Sequence, residues 1–277
     1  PLAMFRARNF AVGNVATLLF YGALSTLTFF LVVFLQQVAG YSPLGAGLAL
    51  TPMSIVTFAL AKRFGALADR IGPRLFMGVG PLVAGAGVLA LLRVDAHADY
   101  VGQLLPAITV FSLGLAMTVA PLTAAVLGAV ASGRSGVASG VNNAIARVAG
   151  LFAIAAVGAV VAGHFATGVD SRLRTSAAAA TSPVREARER PFVIDASAFP
   201  LSERRAVRAA LVSSSLDSYR LAIGISGALA ILSGLLSLVG ISNRKRAVAA
   251  ADCAGGAFVG ASADVAAPSL ASARGSG

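Results

Sequence analysis

Apolar residues in this chain run in long unbroken stretches, interrupted by short charged segments. No Asp, Glu, Lys or Arg occurs in residues 9–61, 75–92, 100–133, 148–169 or 221–243. Within these runs the apolar positions are continuous and do not alternate with period two, which selects helices over barrel strands. Crossing a hydrocarbon core of about 30 Å takes roughly 20 helical residues. The pattern therefore predicts six membrane helices, at about 10–35, 44–61, 75–92, 100–122, 139–163 and 219–241. The fold class is all-α, a six-helix transmembrane domain over residues 1–246.

Six crossings put both ends on one side. Arg6 and Arg8, then Lys62, Arg63, Arg70 and Arg74, then Arg134, then Arg244, Lys245 and Arg246 fall on that side, whereas residues 36–42 carry no charge and 93–99 carry Arg93 against Asp95 and Asp99. The positive-inside rule makes the basic side cytoplasmic. Both termini are then cytoplasmic, and the long 164–218 connection is external. Its residues 175–183 are Thr, Ser, Ala and Pro only, a composition that predicts disorder. Residues 201–216 predict an amphipathic helix lying at the outer interface, with Val207, Leu211 and Leu216 on one side. The Ala, Gly and Ser-rich residues 247–277 predict a disordered cytoplasmic tail.

Composition removes the competing classes. Apolar residues make up 57% and charged residues 12%, with mean hydropathy +0.83. The net charge of +11 does not point to nucleic acid, because the basic residues sit at the ends of apolar runs with no basic helix face. A single cysteine, Cys253, excludes an intrachain disulfide and a cysteine-based metal site, and His97 and His164 are far apart. No cofactor or metal is expected. Asp95-x-His97-x-Asp99 reads as a short outer turn, and no second acidic cluster or Gly-x-Ser-x-Gly elbow supports an intramembrane enzyme. The chain opens on Pro1 with no signal peptide, which reads as a piece of a longer protein.

Three groups of residues invite a functional reading. Gly65, Asp69, Arg70, Gly72 and Arg74 form a Gly-x-x-x-Asp-Arg-x-Gly-x-Arg pattern in a loop between spans two and three. Its glycines allow tight turning, and its arginines suit anionic headgroups. Asn14, Thr17, Tyr21, Ser25 and Thr28 share one face of span one. Polar groups in hydrocarbon need partners, either across a helix interface or in a cavity wall. Ser139, Asn143 and Arg147 share a face of span five. An intramembrane arginine is expensive and either faces protein or snorkels to the headgroups. The Ser42-Pro-Leu-Gly-Ala-Gly-Leu and Ser135-Gly-Val-Ala-Ser-Gly-Val helix starts, three spans apart, fit a three-plus-three inverted repeat.

The span two–three segment resembles the second-half copy of the signature loop of the major facilitator superfamily. Arg8-Asn-Phe-Ala-Val-Gly-Asn14, Gly40-Tyr-Ser-Pro-Leu-Gly-Ala-Gly-Leu48, Val119-Ala-Pro-Leu-Thr123 and Ala138-Ser-Gly-Val-Asn-Asn-Ala-Ile-Ala-Arg-Val-Ala-Gly150 resemble the C-terminal half of its fourteen-span drug:proton antiporter branch. Pro73 stands where that loop often has a basic residue. The resemblance implies the last six helices of a bacterial multidrug efflux pump in the plasma membrane. Its partners would be a missing N-terminal half, amphipathic small molecules, protons and lipid. It also implies a cavity-lining role for the span-one face. None of the chain's carboxylates falls inside a predicted span, so the proton-coupling acid is expected in the missing half. A stand-alone six-span structural or assembly subunit is the alternative.

Overall fold

The computed structural model describes residues 2–129, 135–174 and 182–242. Arg134, residues 175–181, Arg244-Lys245-Arg246 and the 247–277 tail lie outside the described residues. The described elements are helical: α1 (Arg8–Gln37), α2 (Pro43–Ala49), α3 (Thr51–Ile71), α4 (Pro73–Ala90), α5 (Leu105–Gly128), α6 (Ser135–Leu173), α7 (Ser182–Glu189) and α8 (Leu201–Gly240). Six units are long and apolar enough to span a bilayer, with α2 and α3 counted together and short turns extending α4 and α5.

Helix boundaries follow local chemistry. Ser42 caps α2, its Oγ accepting the Gly45 N–H at 3.0 Å, with Pro43 in the first turn. Leu50 separates α2 from α3, where Pro52 lacks the N–H that would continue the ladder. Gly72 alone separates α3 from α4. Its φ of 107° and ψ of 149° lie in a region that essentially only glycine occupies, and Pro73 starts the next helix.

Packing sets the helix order in space. α1, α8, α4 and α5 form a ring of neighbours, with α3 docked on α5 and α6 on α1. The Ser226 and Ser233 hydroxyls of α8 donate to the Ala23 and Ala16 carbonyls of α1, at 2.7 and 3.0 Å, so these helices are antiparallel. α4 is the most glycine-dependent element. Gly78 and Gly85 seat Leu238 and Ile231 of α8, while Gly80 and Gly87 seat Thr118 and Phe111 of α5. Small residues permit this approach where no hydrophobic effect drives helices together.

Exchanging the first three spans with the last three maps the main contacts onto themselves. The first span's contacts with the sixth and fifth become the fourth span's contacts with the third and second. The pairs α1–α8 and α4–α5 are antiparallel, whereas α1–α6 and α3–α5 are parallel. The three-plus-three inverted arrangement expected from the two helix starts is thus visible in the packing.

Two expectations need correction. Residues 201–216 are not a separate interfacial helix but the first turns of the 40-residue α8. No Gly or Pro interrupts Leu211–Leu221, and Ser214, Ser215 and Ser218 are buried. The fifth span likewise continues to Leu173. By the register with α1, Gln37 is level with Ala162 and Val212. Both helices therefore rise about 16 Å further at 1.5 Å per residue. Phe165, Val169, Leu173, Val184, Phe199, Val207 and Leu211 form a satellite core there. Arg172 pairs with Asp217, and Arg188 with Asp170. Phe192, at φ 69°, is buried against Phe30 of α1, tying this cap, at the end of the bundle remote from Arg8, to the rest of it.

Candidate functional site

The basic end of the bundle brings the signature segment, the start of α1 and the end of α8 together. The segment is not a loop, as expected, but mostly helix: Arg63 to Ile71 continue α3, and the reversal is confined to Gly72. Gly65 faces Ala120 of α5, where a Cβ would lie 3.4 Å from the alanine methyl. Asp69 and Arg70 are exposed in the last turn of α3. Arg74 stays exposed but reaches the end of α8, its Nε donating to the Leu238 carbonyl at 2.6 Å.

Sequence reading missed the clamp this completes. The Arg8 Nε donates to the Gly240 carbonyl and its Nη2 to the Val239 carbonyl, both at 2.9 Å. Asn9 Nδ2 donates to the Ser242 carbonyl at 2.9 Å, and Asn9 Oδ1 accepts the Ser242 N–H at 3.0 Å. The last carbonyls of a helix have no intrahelical donors and carry partial negative charge. Two arginines from two other helices supply both needs. The partners are more than 160 residues apart in sequence, so no spacing rule could have exposed them. Replacing Arg8 and Arg74 together with Gln should lower the unfolding temperature of the detergent-solubilised chain more than the sum of the single changes, since both act on one helix end.

The polar face of α1 runs along α6. Asn14 and Thr17 are buried, while Tyr21, Ser25 and Thr28 are half-buried. The Thr17 hydroxyl lies 2.8 Å from both the Gly13 carbonyl oxygen and Asn142 Oδ1. Asn142, beside the Asn143 singled out by spacing, is the α6 side chain within hydrogen-bond distance of Thr17 of α1. Asn14 Nδ2 donates to the Phe10 carbonyl at 2.8 Å, leaving its Oδ1 buried without a partner among the described residues. Gly150 faces Ser25, so the two helices touch closely here. On α6 itself Ser139 is half-buried, and Asn143 and Arg147 are exposed.

At the opposite end, the Tyr41 hydroxyl donates to the Ala98 carbonyl at 2.8 Å and joins two turns. Asp95 accepts the His97 N–H at 2.8 Å, and Asp99 accepts the Gly102 N–H at 3.0 Å, so both carboxylates cap this short turn. The His97 backbone N–H, then the Gln103 side chain, hold the Asp95 carboxyl below its ordinary range. Among the described residues no three His, Cys, Asp or Glu side chains come together as a metal site.

The Major Facilitator Superfamily model matches residues 2–154, from the clamp through the first half of α6. The chain belongs to the Major Facilitator Superfamily. It is thus a multi-pass membrane protein of a transporter family and not of an enzyme family. Several facilitators are similar to it. The methylenomycin A resistance protein of Streptomyces coelicolor is 30% identical over 161 residues, covering 58% of this chain and 34% of that protein. The multidrug resistance protein Stp of Mycobacterium tuberculosis is 28% identical, covering 62% and 32%. The tetracenomycin C resistance and export protein of Streptomyces glaucescens is 24% identical, covering 86% and 45%. This facilitator chain spans about a third to under half of the length of the curated relatives it matches.

Proposed function

We propose that the chain is the C-terminal six-helix half of a fourteen-span exporter that moves amphipathic, drug-like molecules out of a bacterial cell in exchange for protons. The carrying observation is the conjunction of an inverted three-plus-three bundle with alignment to about a third to under half of resistance and export proteins. Substrate pathways in such folds form between two repeats or halves, so this half contributes wall, gate and counter-charge, and the N-terminal half completes the pathway. In this reading residues 1–246 are the half-domain and 247–277 a cytoplasmic tail. Asn14, Thr17, Tyr21, Ser25 and Thr28 line the cavity when α6 moves off α1. Gly65, Asp69, Arg70, Gly72 and Arg74 act as the gating segment. Ser139, Asn143 and Arg147 face protein.

Three acidic or imidazole groups near the outer surface are open to direct test: Asp217, His97 and His164. Asp217 is engaged by Arg172, which fits a coupling acid located in the other half. In an efflux-deficient bacterium the full-length protein should expel ethidium, and a protonophore should abolish this. The chain expressed alone should not export, and neutralising all three groups should leave proton-driven efflux in place. Export by the chain alone, or loss of efflux in the triple variant at normal abundance with retained binding, would overturn the corresponding part.

Orientation follows from the positive-inside rule. In a Cys253→Ser background, a cysteine at Ser202 should react with an impermeant thiol reagent applied to intact cells. A cysteine at Ala66 should react only after the membrane is opened. The reverse pattern overturns the topology.

A further inference from the structure

We propose that Arg147 is the midplane counter-ion of a carboxylate carried by the membrane half outside this chain, and that protonation of that carboxylate opens the pair; this rests on the two-half exporter reading. Thr17 meets Asn142, and Ser25 meets Gly150, which fixes a parallel register between α1 and α6. The same register sets Arg147 level with Gly22, at the middle of the 30-residue α1. That is about 21 Å of helical rise from either end. The half-thickness of a hydrocarbon core is about 15 Å, farther than an arginine at mid-depth can snorkel.

The guanidinium must therefore be met locally, and nothing among the described residues of this half meets it. Arg147 is exposed, as is Asn143 one turn earlier, and it has no hydrogen-bond or ion-pair partner among the described residues. The acids of α7 and α8, Glu186, Glu189, Glu203 and Asp217, all lie toward the far end of α6, beside Asp170, and the elements packed against α6 offer no counter-charge at the level of Arg147. Residues 10–37 of α1, 105–128 of α5 and 221–240 of α8 contain no Asp, Glu, Lys, Arg or His, and Tyr21 is the one phenol at this level. α6 carries no acid before Asp170, in the outer cap.

Arginine keeps its charge under all relevant conditions and presents a planar fork that matches a carboxylate through two parallel hydrogen bonds. The carboxylate, not the arginine, is then the titrating member. Arg147 lowers its pKa. When an external proton binds a carboxylate oxygen, a new O–H bond forms, the charge attraction is lost and Arg147 is released as a cation. Loss of that proton to the cytoplasm re-forms the pair. One proton thus exchanges for one broken cross-half contact at the centre of the pathway.

The test uses everted vesicles holding the full-length exporter, with ethidium as a cationic probe and fluorescein as an anionic one. Arg147→Gln should reduce ethidium transport at pH 7 tenfold or more at normal membrane abundance. Without its counter-ion the carboxylate pKa rises, so the pH profile of residual transport should move at least one unit alkaline. Arg147→Lys should keep the wild-type profile at reduced rate. Neutralising one particular intramembrane carboxylate of the other half should cause no further loss when combined with Arg147→Gln. If Arg147→Gln does not accumulate, neutralising that same carboxylate should restore abundance.

Unchanged rate and pH profile in Arg147→Gln would overturn the pair. So would additive losses with every carboxylate, failure of every neutralisation to restore abundance, or a defect confined to fluorescein, which would assign Arg147 to substrate binding. Failure of the wild type to move either dye would instead overturn the exporter reading.

Discussion

Replacing Gly114 with valine should keep the chain from accumulating as a folded membrane protein. α4 and α5 cross with backbones in near contact. A Cβ at Gly114 would lie 2.5 Å from the Gly80 carbonyl oxygen and 2.7 Å from the Ala84 Cα. Those are backbone atoms of a neighbouring helix, which cannot rotate away as a side-chain tip can. Overpacking by even a methylene or two costs about 1–3 kcal/mol in ordinary cores, and here α4 must move as a unit. α4 also packs against α8 through Gly78 and Gly85, so a shift away from α5 drives it into a second glycine-lined contact. The check is membrane abundance and the monodisperse fraction after mild solubilisation. Gly158→Ala on α6, where a Cβ meets nothing within 4 Å, is the control and should be silent. Normal abundance of Gly114→Val would mean that the α4–α5 contact is not the rigid seam inferred from its glycines.

In the full-length protein, Asp69→Asn should slow transport about tenfold or more, with drug binding at equilibrium changed less than twofold. Asp69 and Arg70 sit in the last turn of α3, exposed at the basic end and remote from the polar face of α1. The turn that follows is held rigidly: the Gly72 N–H donates to the Ala68 carbonyl at 2.8 Å, and Arg74 is fixed on the end of α8. A charge on the free side of a fixed hairpin can bias which of two arrangements of neighbouring helices is favoured, without touching a ligand. Turnover by dye efflux and affinity by equilibrium binding separate the two roles. A large loss of affinity with unchanged turnover would place Asp69 in substrate binding.

Gly72→Ala tests the same hairpin through stability. With φ at 107° and ψ at 149°, any side chain is strained by an amount of order 1–3 kcal/mol. A lowered unfolding temperature should result, even though alanine is a better helix former.

The sequence by itself determined the helices long and apolar enough to cross the membrane and supplied the expectation for the direction in which each crosses. Both depend on one-dimensional quantities: the length of an uninterrupted apolar run against the bilayer thickness, and the side on which basic residues fall. The glycines and Asp-Arg of the signature segment were legible for the same reason, since a short motif needs no partner to be read. The tertiary structure decided what faces what. The charge-free run 221–243 marks only the part of α8 surrounded by hydrocarbon, because apolarity stops at the membrane while a helix continues until a breaker. The turns from Leu201, packed in a cap beyond the bundle, were therefore legible as an amphipathic helix but not as part of the same helix as the sixth span. Arg74 belonged, by sequence, to a set of headgroup anchors. In three dimensions it caps α8, because the free carbonyls at a helix end attract a donor from any helix that ends beside them. Asn142, which no face pattern singled out, hydrogen-bonds α1, since the crossing of two helices selects which residue meets the neighbour. The level of Arg147, beside Gly22 of α1, likewise came from the register of α6 on α1, a relation between two chain segments that no single segment encodes.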